Sequence, residues 1–438
     1  MKKIFPDIIY LFIFLLSFFI TTKKVSFFLL ILFLLSLITK FIFNLITKNY
    51  HYTELPPYKK SAFYPLIFSL IIAIIAFFNY QSELSLFKSF VTSLIYYLVT
   101  FLLLLPPHLK YYSKENSVSN AFALSCTKTI FLPQVSNSEL FKFLKILHCA
   151  KINLIICSDS EISPKLTSSF QKVSYADLDL SKRQNIILQE NQLTAEQIQK
   201  LTDHRNLYYV KDEDLATSIS QIKKARGIFD NLIKATNLNT ILTSALFLSI
   251  IFTSLLGYPM PFNYLLLLII GFKKNIFLTC FVPYFRFDTD IMERSPRQEN
   301  APFYLKQDLI LLVISSLLVT FAVTIPYMES LSAGGSASLA TTLALNTYLF
   351  CFLLLSLQNV TEKVTILNLI TIYQDRRMLL AIIITIIAIL ALPYCPFIAI
   401  KSTIFSNYLR CFLVAFFLLI TLDLTKLARF TTIRKKEK

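Results

Sequence analysis

The stretch ARGIFDNLIKATNLNTILTSALFLSIIFTSLLGYPMP (225–261), continued by FNYLLLLIIGFKKNIFLTCFVPYFRFDTDIMERSPRQENAP (262–302), decides how this chain is read. From 236 to 256 no charged residue occurs, and the run ends at the turn-forming Gly257 to Pro261. A second apolar run over 262–285 is broken only by Lys273 and Lys274. A helix needs about 20 apolar residues to cross the hydrocarbon core, so the two runs read as membrane spans joined by a short hairpin. Asp214–Phe229 has a helical pattern that leads into the first of them.

Working outward, the same grammar repeats. Further candidate spans are 7–21, 25–46, 62–80, 87–107, 309–327, 338–358, 378–394 and 404–425. The 438 residues are 55% hydrophobic and 16% charged, against about 25% charged in an ordinary soluble domain. This excludes a soluble cytosolic enzyme and a disordered chain. Of the 69 charged side chains, 28 lie in 108–226, which marks that segment as a polar insert in a membrane protein. The net charge of +17 sits mostly in short loops, as the positive-inside rule requires, and argues against a nucleic-acid partner. Lys2, Lys3, Lys59, Lys60, Arg294, Arg297, Arg376, Arg377 and the basic tail Arg434 to Lys438 share one side of a ten-span plan. Both termini and the insert are therefore expected in the cytoplasm, in a multi-pass protein of the cell membrane.

The seven cysteines (126, 149, 157, 280, 351, 395, 411) and four histidines form no ligand-like spacing, so they read as reduced thiols in apolar surroundings, with no metal site and no cofactor. Within the insert, Ile152–Asp159 (INLIICSD) reads as a buried strand flanked by helical patterns at Ser138–Ala150 and Thr194–Leu201. A small α/β layer with few strands is expected. Gly334-Gly335 reads as a flexible loop or a site of close helix packing, and Asp423 as one half of a helix-end ion pair.

Residues 225–302 resemble the fifth and sixth spans of the calcium-transporting branch of the P-type ATPases. In that family a stalk like GRAIYDNI enters the span, G-x-P-x-P forms the hairpin, and D-P-D-I-M-x-R-P-P-R follows. The matching residues here are Ala225–Leu232, Gly257–Pro261 and Asp288–Arg297. RRMLLAIIITIIAILALPYCPF and LDLTKLARF are similar to the ninth and tenth spans, and LLLLPPHLKYYSK sits where the fourth carries P-E-G-L-P. The resemblance implies a ten-helix membrane bundle, all-α, with a reduced α/β phosphorylation-domain remnant. It divides the chain into spans 1–4 (1–107), the remnant (108–226) and spans 5–10 (227–438).

The departures from the family bear on its chemistry. The resemblance puts Thr127, with Lys128 and Thr129, where C-S-D-K-T-G-T is expected, and Asp159 at the aspartate of T-G-D. A threonine cannot form the acyl-phosphate that carries the pump cycle. The metal-binding G-D-G-x-N-D loop is missing from the run between His204 and Asp212, although phosphoryl transfer depends on metal and positioning. Only 27 residues separate Thr129 from Cys157, and about 15 (Thr47–Ser61) lie between the second and third spans. Neither gap holds a nucleotide-binding or an actuator domain. The family's ion-ligand positions carry Pro107, beside Pro106, in the fourth span, Thr243 and Leu246 in the fifth, and Gly271, Lys274 and Asn275 in the sixth. None is a carboxylate, so a hard cation finds few of the oxygens it needs.

Lys273 and Lys274 stand out, since a charge in a span costs about 2.5 kcal/mol or more. Lys274 reads as a tethered charge in place of the family's bound cation, as a side chain that snorkels to an interface, or as one that faces a wet crevice without any function. The expected function is that of a catalytically inactive relative acting as membrane scaffold, partner subunit or regulator. The alternatives are a passive or partner-energised transporter and, opposed by the residues, an active cation-transporting ATPase. The implied partners are the lipid bilayer and a membrane protein.

Overall fold

The computed structural model describes residues 63–81, 85–104, 129–132, 146–157, 171–173, 186–189, 207–210, 215–277, 287–288, 290–296, 306–358, 376–394 and 400–436. The expected spans 7–21 and 25–46 and the helix Thr194–Leu201 lie outside them. Eight α-helices are described: α1 Phe63–Gln81, α2 Leu86–Leu104, α3 Leu215–Leu255, α4 Tyr264–Ile276, α5 Lys306–Ser332, α6 Ala337–Gln358, α7 Arg376–Ala391 and α8 Phe405–Lys436. Four of them (α3, α5, α6 and α8) contain stretches long and apolar enough to cross a membrane. Exposed leucine, isoleucine and phenylalanine side chains along α1, α5, α7 and α8 fit lipid contact, because no water-driven reason exists to hide them in hydrocarbon.

Helix α3 is the axis of the molecule. At 1.5 Å per residue its 41 residues extend about 60 Å, roughly twice the hydrocarbon thickness. Its first half, with buried Arg226, Asn231 and Lys234, forms a polar stalk, and the helix packs against α1, α2, α5 and α6. Gly257 ends it at φ +77°, where Gly257 N donates to Ser254 O (3.1 Å) and Tyr258 N to Thr253 O (3.0 Å). This is a Schellman closure of orphan carbonyls. Two long-range bonds pin the hairpin that follows, Tyr327 Oη to Pro259 O (2.8 Å) and Tyr96 Oη to Phe262 O (3.2 Å). Asn263 then caps α4, its side chain accepting from Leu266 N at 2.9 Å.

The turn between α5 and α6 corrects the reading of Gly334-Gly335 as a flexible loop. Gly334 has φ +80°, and Gly335 N donates to Ser330 O (2.8 Å) while Gly334 N donates to Leu331 O (3.0 Å). The pair is a second Schellman cap. Asp423 accepts from Gln358 Nε2 at 2.9 Å, tying α8 to α6. Among the described cysteines, Cys351 and Cys411 are buried free thiols as read, but Cys149 is exposed.

Between α2 and α3 lies a five-stranded parallel sheet of β1 Thr129–Leu132, β2 Asn153–Cys157, β3 Gln171–Val173, β4 Ile186–Gln189 and β5 Leu207–Val210, in the order β3-β2-β1-β4-β5. Strand β2 falls on the expected Ile152–Asp159 run; the strand count exceeds the few expected, because the other four are only three or four residues long and carry no long apolar run. Order 3-2-1-4-5 is that of doubly wound sheets, whose crevice opens at the carboxyl ends where the order reverses.

Stalk and loop meet at a glycine. A Cβ at Gly227 would lie 2.2 Å from both Cγ and Cδ1 of the Phe287 ring. Alanine is favoured over glycine by about 1 kcal/mol in a helix interior, but overpacking costs about 1–3 kcal/mol. The ring atoms struck lie near the root of the side chain and cannot swing away cheaply. Gly227→Ala is therefore expected to lower the unfolding midpoint in detergent. A raised midpoint would mean that the ring does not seat on the stalk.

Candidate functional site

Three helices converge at the last turn of α2. The final four carbonyls of any helix lack intrahelical donors, and Pro106 and Pro107 have no N–H to offer Leu102 and Leu103 four residues back. The Leu103 carbonyl is thus an orphan acceptor on a buried residue. Gly271 of α4 makes room for it: a Cβ there would lie 2.3 Å from Leu103 Cδ2. One turn on, Lys274 extends from the same face of α4.

Lys274 is 1% exposed. Its Nζ donates to Leu103 O at 3.1 Å and to Thr243 Oγ1 of α3. Thr243 Oγ1 in turn donates to Asn239 Oδ1 at 3.5 Å, one helical turn earlier on α3. With its proton turned to Asn239, the hydroxyl keeps its lone pairs for the ammonium. The site is a relay from Nζ–H through a hydroxyl to an amide oxygen, with a backbone carbonyl on the other side. Charge-assisted hydrogen bonds of this kind are about twice as strong as neutral ones, and losing the donor would strand two buried acceptors.

This geometry bears on the readings of Lys274 left open by the sequence. The side chain does not snorkel; it lies within the bundle. Lys273 departs in the other direction, over the Phe352 ring of α6 at 4.5 Å from its centroid. Its Nζ is buried without a hydrogen-bond partner and rests on the ring's negative face.

Among the positions assigned by resemblance, the structure brings Thr243, Gly271 and Lys274 together. Leu246 lies one turn beyond Thr243 on α3 and is packed in the apolar core. Asn275 belongs to α4, with its side chain outside the described part, and Pro106, Pro107, Thr127, Lys128 and Asp159 lie outside the described residues. Thr129 opens β1 and pairs with Asn153, the first residue of β2, whereas Cys157 closes β2. Four steps of about 3.3 Å separate those ends. In this parallel pair the first residue of β1 and the last residue of β2 therefore lie toward opposite ends of the strands.

A second cluster went unread in the sequence as a site. On the stalk, Asp230 and Lys234 face Asp288, Asp290 and Arg294 of the loop after α4. Lys234 Nζ meets Asp230 Oδ2 at 3.3 Å and Asp288 Oδ2 at 3.0 Å. The Arg294 guanidinium meets Asp230 at 3.3 Å, Asp288 at 2.9 Å and Asp290 at 3.0 Å. Arg226 adds a link to the insert, donating to Arg294 O (3.0 Å) and to Ala150 O (3.4 Å). Ala150 ends the helical turn before β2, where Lys151 at φ 52° and the bond Ile152 N to Leu147 O (3.0 Å) close it. Sheet, stalk and membrane loop therefore meet at one arginine. The signal was present as acidic and basic residues in 226–234 and 288–294, and Asp230–Lys234 and Asp290–Arg294 stand at i,i+4, but nothing in the spacing joins one segment to the other.

Residues 259–428 match a family model described as the C-terminus of cation transporting ATPases. The match covers less than half of the chain; it begins at the hairpin after α3 and takes in α4, with Gly271 and Lys274, through α7 and most of α8. That part is similar to the membrane region of such ATPases. The sheet and α3 lie outside it. No curated protein matches the chain.

Proposed function

We propose that this integral membrane protein is a P-type ATPase relative of the calcium-transporting branch that has lost the pump reaction and works as a membrane scaffold, partner subunit or regulator. The observation that carries the reading is Lys274. In a cation path between α2, α3 and α4, the oxygens that would strip water from an ion already hold an ammonium attached to the chain. A divalent cation entering beside it would meet like charge and no carboxylate from these helices, none of which contains Asp or Glu between 236 and 276 or between 86 and 104. The threonine at position 127, the absent metal loop and the short gaps at 47–61 and 130–156 support the same conclusion on the chemical side. The well-packed bundle, with the sheet tied to it through Arg226, suits a protein whose output is a surface rather than a turnover.

A passive or partner-energised transporter is the competing reading, and an active ATPase the third. One preparation separates them. The full chain, purified in mild detergent beside a working pump of the family, is expected to form no acid-stable phosphoenzyme from ATP and to show no cation flux in proteoliposomes. A stable co-purifying membrane partner is the positive expectation. An aspartyl phosphate would overturn the reading in favour of the pump, and ATP-independent flux altered by Lys274→Ala would overturn it in favour of the transporter.

A further inference from the structure

The junction of α2, α3 and α4 says which kind of cation it accepts. We propose that it is a self-occupied primary-ammonium site: its geometry recognises an R–NH3 group, the Lys274 side chain is the resident ligand, and a free alkylammonium of matching length can take that side chain's place. This rests on the reading of the junction given above and names its ligand class. Three observations support it. The Nζ–Leu103 O distance of 3.1 Å is a hydrogen-bond length, so the group held at this carbonyl is an N–H donor. The acceptors are a carbonyl with no helical donor and a hydroxyl whose own proton is taken by Asn239, so both present lone pairs to a donor. Gly271 removes the Cβ that would keep α2 away, and Lys274, Leu103 and Leu246 are all buried, surroundings that fit an alkyl chain and not a hydrated ion.

The test is chemical rescue. Lys274→Ala removes three methylenes and the ammonium, leaving a hole shaped for n-propylammonium. The thermal midpoint of this full-length variant in detergent is expected to rise saturably with n-propylammonium chloride, by about 5 °C at a hundredfold excess over Kd. Choline, calcium and the uncharged isostere 1-propanol are expected to give no such rise. Lys274→Met, which fills the hole without a charge, should not respond, and adding Thr243→Val to Lys274→Ala should weaken the response at least tenfold in Kd. Equal stabilisation by 1-propanol, or none by either compound, would overturn the proposal. Should Lys274→Ala not fold, Thr243→Val and Thr243→Ser decide: the proposal requires the first to lower the midpoint of the wild-type background and the second to leave it close to wild type, and equal midpoints for both refute it. None of these readouts involves ATP or flux, so the site can fail while the inactive-relative reading stands, and the reverse.

Discussion

Replacing Arg294 with methionine is expected to lower stability by about 2–4 kcal/mol and to loosen the attachment of the sheet to the bundle. The guanidinium holds three carboxylates at once, binding Asp290 through two nitrogens (Nε to Oδ2 3.2 Å, Nη2 to Oδ1 3.0 Å) and reaching Asp288 and Asp230 with the same fork. Asp288 is 8% exposed and Arg294 30%. Removing one partner of a buried pair costs about 3–5 kcal/mol because the other charge is left uncompensated, and the partial exposure of the arginine trims that figure. Lys234 would remain as the cation for Asp230 and Asp288, while Asp290 would lose its two bonds to the guanidinium. Lysine at 294 should recover only part of the loss, since a point charge cannot bond two carboxylates through a planar fork. Pairing Arg294→Met with Asp288→Asn should cost less than the sum of the two, as expected inside one network. Chemical or thermal unfolding in detergent gives the energies, and limited proteolysis reads the attachment, because the Arg294 carbonyl is one of the two that Arg226 clasps. A loss below about 0.5 kcal/mol, the level of a surface ion pair, would mean that solvent already screens the cluster.

The parts of this molecule that the sequence revealed are those governed by local rules. Unbroken apolar length placed α3, α5, α6 and α8; the Gly257–Pro261 run announced a hairpin; the β-branched Asn153–Cys157 segment announced a strand. Each depends on residues within a few positions of one another. What went unread depends on encounters. Asp230 and Arg294 are 64 residues apart, and only the fold shows that the stalk passes the loop. The Leu103 carbonyl is invisible in a one-letter code, although Pro106 and Pro107 hint at it by withholding their N–H groups. Short strands such as Gln171–Val173 carry too few residues for a period to emerge and are recognised only by their neighbours in the sheet. Lys274 lay between these cases: its cost in a span flagged it, while its direction was decided by Gly271 three residues earlier, where the missing side chain lets α2 approach.

That last point leads to a sharper expectation. Gly271→Ala should destabilise the bundle by about 2–3 kcal/mol, more than an ordinary surface change and opposite in sign to the propensity gain of alanine in a helix. The added Cβ would lie 2.3 Å from Leu103 Cδ2 and 3.2 Å from its Cγ, so either the leucine leaves its rotamer or the end of α2 moves outward. The first response costs packing; the second also stretches the bond from Lys274 Nζ to the Leu103 carbonyl. Leu103→Ala distinguishes them. It removes the clashing methyls but keeps the carbonyl, and alone it should cost about 2–5 kcal/mol for the cavity left in the core. Combined with Gly271→Ala, the new methyl occupies part of that cavity, and the double variant should be more stable than the sum of the singles predicts by about 1–3 kcal/mol, the size of coupling between residues in contact. Strict additivity would place the two residues out of contact, and the junction would then lack the close approach that lets a lysine from one helix close the end of another.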